Sequence, residues 1–366
     1  MTTITKNLIK PIALGLVISL MSTSCKKEKD EVPTPTPTGS NYTVPTTYNF
    51  TNASYTGQSQ RIQMLDSISE YMKKGNTMGT ALDAVKMKNM YANSGNPFNN
   101  TNLDASGKQL KNKTYSLDQA YFDALLDDLA AASQSVTAGS NGVAGVVTVG
   151  TSKYLCNANG FEIAQVIKKQ LQSAVFYYQA LETYLANLPT DDNTTVNADG
   201  TAQEHHFDEA FGYFAVPVDF PTNVTGLKYW GEYTNKVNYA ISCNSTIMNA
   251  FLACRAAISN KDYTTRDAKI IIIRQQWESI AAASAIYELK AAKNNLGDDA
   301  KRNHYLSEAL GFIRGLKYNS AKQITQTQID AAEAALGTNF YTISSTAIDN
   351  AINTINAVYG FNLSAF

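Results

Sequence analysis

Apolar residues recur with helical spacing along nearly the whole chain. Ile62, Leu65, Ile68 and Tyr71 share one stripe of Gln58–Lys74, and Met78–Tyr91 continues with Leu82, Val85, Met87 and Met90. Ser116–Ser133 predicts a helix with Ser116 as N-cap and Asp118 in its first turn. Residues 138–151, rich in Gly and Val, predict a loop with a short strand. Gly160–Leu188 predicts a long helix with Ile167, Leu171, Val175, Leu181 and Leu185 on one face. Pro189 and the polar run 191–200 end it, and Pro217 and Pro221 predict an irregular segment reaching Trp230. Further helices are predicted at Ala240–Ser259, Thr264–Asn294, Asp299–Lys317, Thr327–Gly337 and Ser344–Tyr359. No stretch sustains strand alternation. The expected fold class is therefore all-α, with duplicated helix-hairpin units packed as one or two helical bundles.

The first residues follow another pattern. Lys6 and Lys10 precede the apolar run Pro11–Met21, then Ser22, Thr23, Ser24 and Cys25. This is the arrangement of a secretory signal peptide, expected at 1–24. The run is too short for a bilayer span, which needs about 20 apolar residues. Cys25 behind small residues resembles a bacterial lipobox, with Ser22 where Leu is usual, and predicts lipidation at Cys25. Residues 25–46, with Pro33, Pro35 and Pro37 alternating with Thr, predict an extended tether. The expectation is an outer-membrane lipoprotein, facing the periplasm or the cell surface. Its helical body would run 47–366: N-terminal helices to 150, two related units over 160–320, and C-terminal helices over 321–366.

Net charge is −1, with no basic stretch beyond the tether, so nucleic acid is not an expected partner. Setting Cys25 aside leaves Cys156, Cys243 and Cys254, an odd set that argues against a disulfide framework. Cys243 and Cys254 lie in an apolar helical stretch and read as buried free thiols. No Cys-x-x-Cys pattern supports a thiolate zinc site. The 21 tyrosines suit either a ligand groove or half-buried packing. Trp230 and Trp277 read as core anchors; Arg255, Arg266 and Arg274 read as surface or ion-pair residues.

The candidate chemistry lies in a repeat. His205–Phe214 aligns without gaps on His304–Ile313, keeping His, Glu, Ala and Gly in register. Upstream, Ile167–Ser173 resembles Ile273–Ser279. Each unit reads as a long helix, a loop and a helix opening with His-x-x-x-Glu-Ala-x-Gly. Residues four apart share a helix face, so His205 with Glu209, and His304 with Glu308, can address one point. Two such pairs brought together would offer two imidazoles and two carboxylates, a set for iron, zinc or manganese rather than calcium. Glu204, His206 and Asp208 add ligand capacity, and Glu162 could reach in from the preceding helix. The competing reading is a structural network, in which these acids serve the positive end of a helix. Gly212 and Gly311 fit that reading. Gly inside a helix costs about 1 kcal/mol against Ala, so its recurrence predicts a close backbone crossing. Catalytic patterns are missing: neither His-Glu-x-x-His nor Gly-x-Ser-x-Gly occurs.

Several segments together resemble a family of Bacteroidetes lipoproteins catalogued as domain of unknown function 4856. They are Tyr55–Arg61, Leu82–Asn93, Glu204–Phe214 and Leu306–Ile313, beside the lipobox. At longer range the duplicated units are similar to imelysin-type proteins, which are exported, all-α and marked by Gly-x-His-x-x-Glu. Here His206 and Glu209 fill His-x-x-Glu, while Glu204 stands where that motif has Gly. The resemblance implies an iron-related binding role near His206 and Glu209. The expected function is thus a membrane-tethered binding protein for iron, zinc or an iron-containing ligand, working with an uptake-system partner protein. The alternatives are a glycan- or peptide-binding lipoprotein and an imelysin-like metallopeptidase, with binding favoured over catalysis.

Overall fold

The computed structural model describes residues 41–366; the expected signal peptide, Cys25 and most of the expected tether lie outside the described residues. Tyr42–Phe366 forms one compact unit. Twelve α-helices, several short 3₁₀ and π-type segments and a two-stranded hairpin make up the regular structure of the described residues.

α1 (Thr56–Lys73) buries the predicted stripe of Ile62, Leu65 and Ile68. α2 (Ala84–Ala92) starts six residues later than the apolar pattern. Gly79 has positive φ, and the Asp83 carboxylate caps the helix by accepting from the Val85 and Lys86 N–H groups at 2.8 and 3.1 Å. After the short α3 (Thr101–Asp104), α4 (Gln119–Ser133) also begins late. A 3₁₀ turn, Ser116–Asp118, takes up the predicted first turn, and no side chain caps α4. The Gly/Val segment supplies β1 (Gly145–Val149), which pairs antiparallel with β2 (Ser152–Cys156) in the register Gly145↔Cys156.

The predicted long helix opens as α5 (Ile163–Leu171) and widens into π-type turns over Gln172–Tyr177 and Gln179–Leu185. Its backbone there engages the core: the indole N–H of Trp230 donates to the Gln172 carbonyl at 3.1 Å. α6 (Ala202–Phe214) follows the polar loop. α7 (Tyr229–Ile241) occupies a stretch whose start was expected to be irregular. Trp230, Tyr233, Thr234 and Val237 give it a buried stripe that the nearby prolines obscure. Ser242, at φ 52°, separates α7 from α8 (Cys243–Ser259), which share the predicted 240–259 segment. α9 (Tyr263–Lys293), α10 (Asp299–Gly315), α11 (Gln326–Leu336) and α12 (Ser345–Tyr359) match expectation within about two residues at each end.

The bundle is layered around the related helix pairs. α9 lies along α8 and α10, α10 along α5, and α6 along the π-type stretch, α1 and α8. Trp230 and Trp277 meet edge to face at 6.0 Å in the core, both fully buried. Cys243 and Cys254 are free and buried, as expected, and Cys156 is free and buried too. The predicted crossing at the repeated glycine is real. A Cβ on Gly311 would lie 2.6 Å from the Lys169 Cβ and 3.2 Å from the Gln170 backbone nitrogen. On Gly212 it would lie 2.5 Å from the Tyr55 Cβ.

Candidate functional site

The two His/Glu units do not converge on one point; each serves a network of its own. On α6, Glu204 is a capping residue. Thr201 Oγ accepts from the Glu204 N–H, and Glu204 Oε2 accepts from the Thr201 N–H at 3.0 Å. Its other oxygen takes the Arg255 guanidinium at 2.7 Å. Asp208, fully buried, accepts from Arg255 Nε at 2.8 Å and from the Tyr48 hydroxyl at 2.7 Å. Burial pushes its carboxyl up to about 6 despite the guanidinium beside it. His206 Nδ1 lies 2.7 Å from Asp191, and Glu209 accepts from Gln58 Nε2 at 2.7 Å. His205 Nε2 is 4.0 Å from Glu209, and its Nδ1 is buried without a partner. The pairing of His206 with Glu209 that the imelysin resemblance implies is thus divided between Asp191 and Gln58. Arg255 and Arg266, read as surface or ion-pair residues, are buried with carboxylate partners.

On α10 the outcome differs. His304 and Glu308, with Glu162 at the start of α5, line a cleft of about 420 Å³ bounded by α1, α5, α7, α9, α10 and β2. His304 Nδ1 is 2.6 Å from Glu162 and its Nε2 is 3.7 Å from Glu308, while its ring stacks on Tyr154 at 4.3 Å. Burial would lower the imidazole pKa, but Glu162, then Glu308, outweigh it and hold it up. The Ser307 hydroxyl on α10 accepts the Glu162 N–H at 2.9 Å, locking the carboxylate-bearing turn to this helix.

Behind His304 lies a group of charges that the motif does not contain. The Lys169 ammonium is 3.2 Å from Glu308, and the Lys236 ammonium 3.6 Å from Glu288. Both sit over the Tyr233 ring, at 4.5 and 4.4 Å. The Tyr233 oxygen is 3.1 Å from Glu288 Oε1 and 3.0 Å from Glu308 Oε2. One phenolic hydrogen serves one acceptor, so the second bond needs a carboxyl proton. Burial and the neighbouring Glu308 raise the Glu288 carboxyl. Burial would raise Glu308 too, but Lys169 and His304 lower it. The proton therefore rests on Glu288 Oε1 and is donated to Tyr233, which donates to Glu308. Glu288 Oε2 is left buried with no partner, as is the Gln165 side-chain oxygen on the same cleft.

Among the described residues no three His, Cys, Asp or Glu side chains converge as a metal requires. The Lys169 ammonium already holds the cationic position beside Glu308. Lys169, Tyr233, Lys236 and Glu288 escape a search for His/Glu spacing, yet two carried a signal. Glu288 continues the buried α9 stripe of Trp277, Ala281 and Ser284, and Lys169 interrupts the apolar face of α5. A charge on a core stripe must find a partner, and here the partners are one another.

A family model described as "Domain of unknown function (DUF4856)" matches residues 45–361. The chain belongs to this family. The match spans nearly all the described helices, so both networks lie inside the family's domain. No curated protein and no solved structure matches the chain. No described helix is long and apolar enough to cross a membrane.

Proposed function

We propose that this member of the DUF4856 family is a membrane-tethered binding protein whose ligand is a small polar solute held in the α10 cleft. The observation that carries the reading is a cavity lined by charges of both signs and tyrosine rings, with a buried, unpartnered side-chain oxygen on each of two lining residues, Glu288 and Gln165. A buried acceptor without a donor costs about 1–3 kcal/mol, which a ligand bearing donors recovers. The cavity has the size of a small-molecule site. The pattern around Cys25 supports the tether and an outer-membrane location, with release of the solute to an uptake-system protein.

Iron or zinc on His304, Glu162 and Glu308 is the second reading, favoured by the two carboxylates that flank that imidazole. It requires the Lys169 ammonium to leave Glu308. Calorimetric titration of the purified full chain with sugars, organic acids, amines and amino compounds, beside elemental analysis, tests both. Ala164 lines the cleft, and Ala164→Trp fills it. Solute binding lost in that variant, with helicity kept, is the expected result. Stoichiometric metal and no solute binding would replace it with the second reading.

A further inference from the structure

A second cavity, of about 610 Å³, opens where the π-type stretch meets the loop between α10 and α11, and it shares no lining residue with the α10 cleft. Three of its lining residues are tyrosines. Tyr115 and Tyr178 meet edge to face at 5.2 Å and 69°, and Tyr318 packs edge to face on Tyr115 at 5.7 Å. The Tyr318 hydroxyl is engaged inside the protein, donating to Asp118 at 2.5 Å and accepting from Gln170 Nε2 at 3.1 Å. Tyr115 and Tyr178 are only half-buried, and neither hydroxyl has a partner among the described residues.

Beside this aromatic corner the groove carries polar groups of both kinds. Glu182 Oε1 accepts from Arg274 Nη2 at 2.6 Å and from the Ser320 N–H at 3.0 Å. Its Oε2 has no partner among the described residues, and the side chain stays 17% exposed. Lys317 is held by Asp118 at 2.7 Å. Lys322, partly exposed, makes no ion pair within 4.0 Å among the described residues. One groove thus offers a carboxylate acceptor already fixed in place, an ammonium donor and two phenolic hydroxyls, next to half-buried rings.

We propose that this groove binds a carbohydrate, a neutral mono- or disaccharide. A pyranose has an apolar C–H face that lies on an aromatic ring, and a rim of hydroxyls that each donate and accept. The groove presents both counterparts. An anion would meet the Glu182 carboxylate, and a cation would meet Lys317 and Lys322. A flat aromatic molecule would cover the rings and strip water from the polar groups without replacing it. The cavity has the size of a small-molecule site. This site is additional to the polar-solute site of the α10 cleft and does not depend on it.

The test is calorimetric titration of the purified full chain with glucose, galactose, N-acetylglucosamine, maltose, cellobiose and lactose. Citrate, putrescine and indole serve as controls. The expected result is binding of one or more saccharides by the wild type, and equally by Ala164→Trp, whose α10 cleft is filled. Tyr178→Ala weakens that binding by about tenfold or more, while Tyr178→Phe, which keeps the ring, retains more affinity. Lys322→Ala weakens it by about 3–10-fold, the worth of one hydrogen bond. Lys322 makes no ion pair, so its variant carries the test if Tyr178→Ala loses helicity. Saccharide binding that vanishes in Ala164→Trp and is unchanged in Tyr178→Ala and Lys322→Ala would overturn this inference and leave the polar-solute reading of the cleft standing. Binding of citrate, putrescine or indole without any saccharide, or no binding by any probe, would overturn it as well.

Discussion

Arg255 holds Asp208 in the interior of the bundle: Nε to Oδ1 is 2.8 Å, with the side chains 1% and 0% exposed. The pair joins α8 to α6, and the Tyr48 hydroxyl closes it from the segment before α1. Removing one partner of a buried ion pair strands the other, typically at a cost of about 3–5 kcal/mol. Arg255 keeps Glu204 at 2.7 Å, so Asp208→Ala should lower unfolding free energy toward the lower end of that range in urea titration. The double variant Asp208→Leu/Arg255→Met should lose less than Asp208→Ala alone, because the one carboxylate it leaves without a guanidinium, Glu204, is partly exposed and keeps its bonds from the Thr201 N–H and the Ser259 hydroxyl. A double variant as unstable as the single one would show that the guanidinium is not the cause.

How far the sequence reaches is clear from these residues. Long helices with continuous apolar stripes, such as α9 and α10, were legible to within about two residues. α7 was hidden because Pro217 and Pro221 precede a helix whose stripe is short. The π-type stretch of α5 has no signature separable from an α-helical stripe. The repeat named His304 and Glu308, which the structure places with Glu162 on one cavity. It could not distinguish them from His205, His206 and Glu209, because identical spacing carries no information on what the facing helix presents. Opposite Glu308 stands Lys169, and opposite Glu209 stands Gln58.

Gly311 tests the crossing of α10 over α5. On an isolated helix, Ala in place of Gly is favourable by about 1 kcal/mol. Here the added methyl meets the Lys169 Cβ at 2.6 Å and the Val166 carbonyl at 3.3 Å, a backbone atom and one bonded directly to the backbone, neither of which can turn away. Overpacking should win, and Gly311→Ala should destabilise by about 1–3 kcal/mol. Because the crossing also places Lys169, solute affinity should fall with it. A gain in denaturation midpoint would show that the helices slide apart without penalty.

The Glu288 carboxyl gives the bundle a pH dependence of defined sign. Burial and Glu308 raise it from 4.5 to about 8, against the pull of Lys236 and Lys169. Tyr233 from α7, Glu308 and His304 from α10, and Lys169 from α5 complete the groups around this pair. Between those two values the unfolded chain has lost the proton and the folded chain retains it. Stability from this group therefore falls as pH rises through that window. Glu288→Gln removes the contribution. The stability of wild type relative to Glu288→Gln should decline steadily from pH 5 to pH 8 in denaturant titrations. A difference that stays flat with pH would mean that Glu288 is ionised throughout.

The two His/Glu units are separable by paired variants. His206→Ala/Glu209→Ala breaks contacts to Asp191 and Gln58, on residues that do not line the cleft. His206 and its partner are partly exposed, so that contact is worth about 0–1 kcal/mol, and the cleft is untouched. His304→Ala/Glu308→Ala instead removes the partner of the buried Glu162, frees Lys169, and takes the acceptor from Tyr233. The second variant should lose solute binding and several kcal/mol of stability, while the first keeps affinity within about twofold. Calorimetry and urea titration on both variants check the assignment. Loss of binding in the α6 variant alone would move the site to His206 and Glu209, because no route through the cleft explains it.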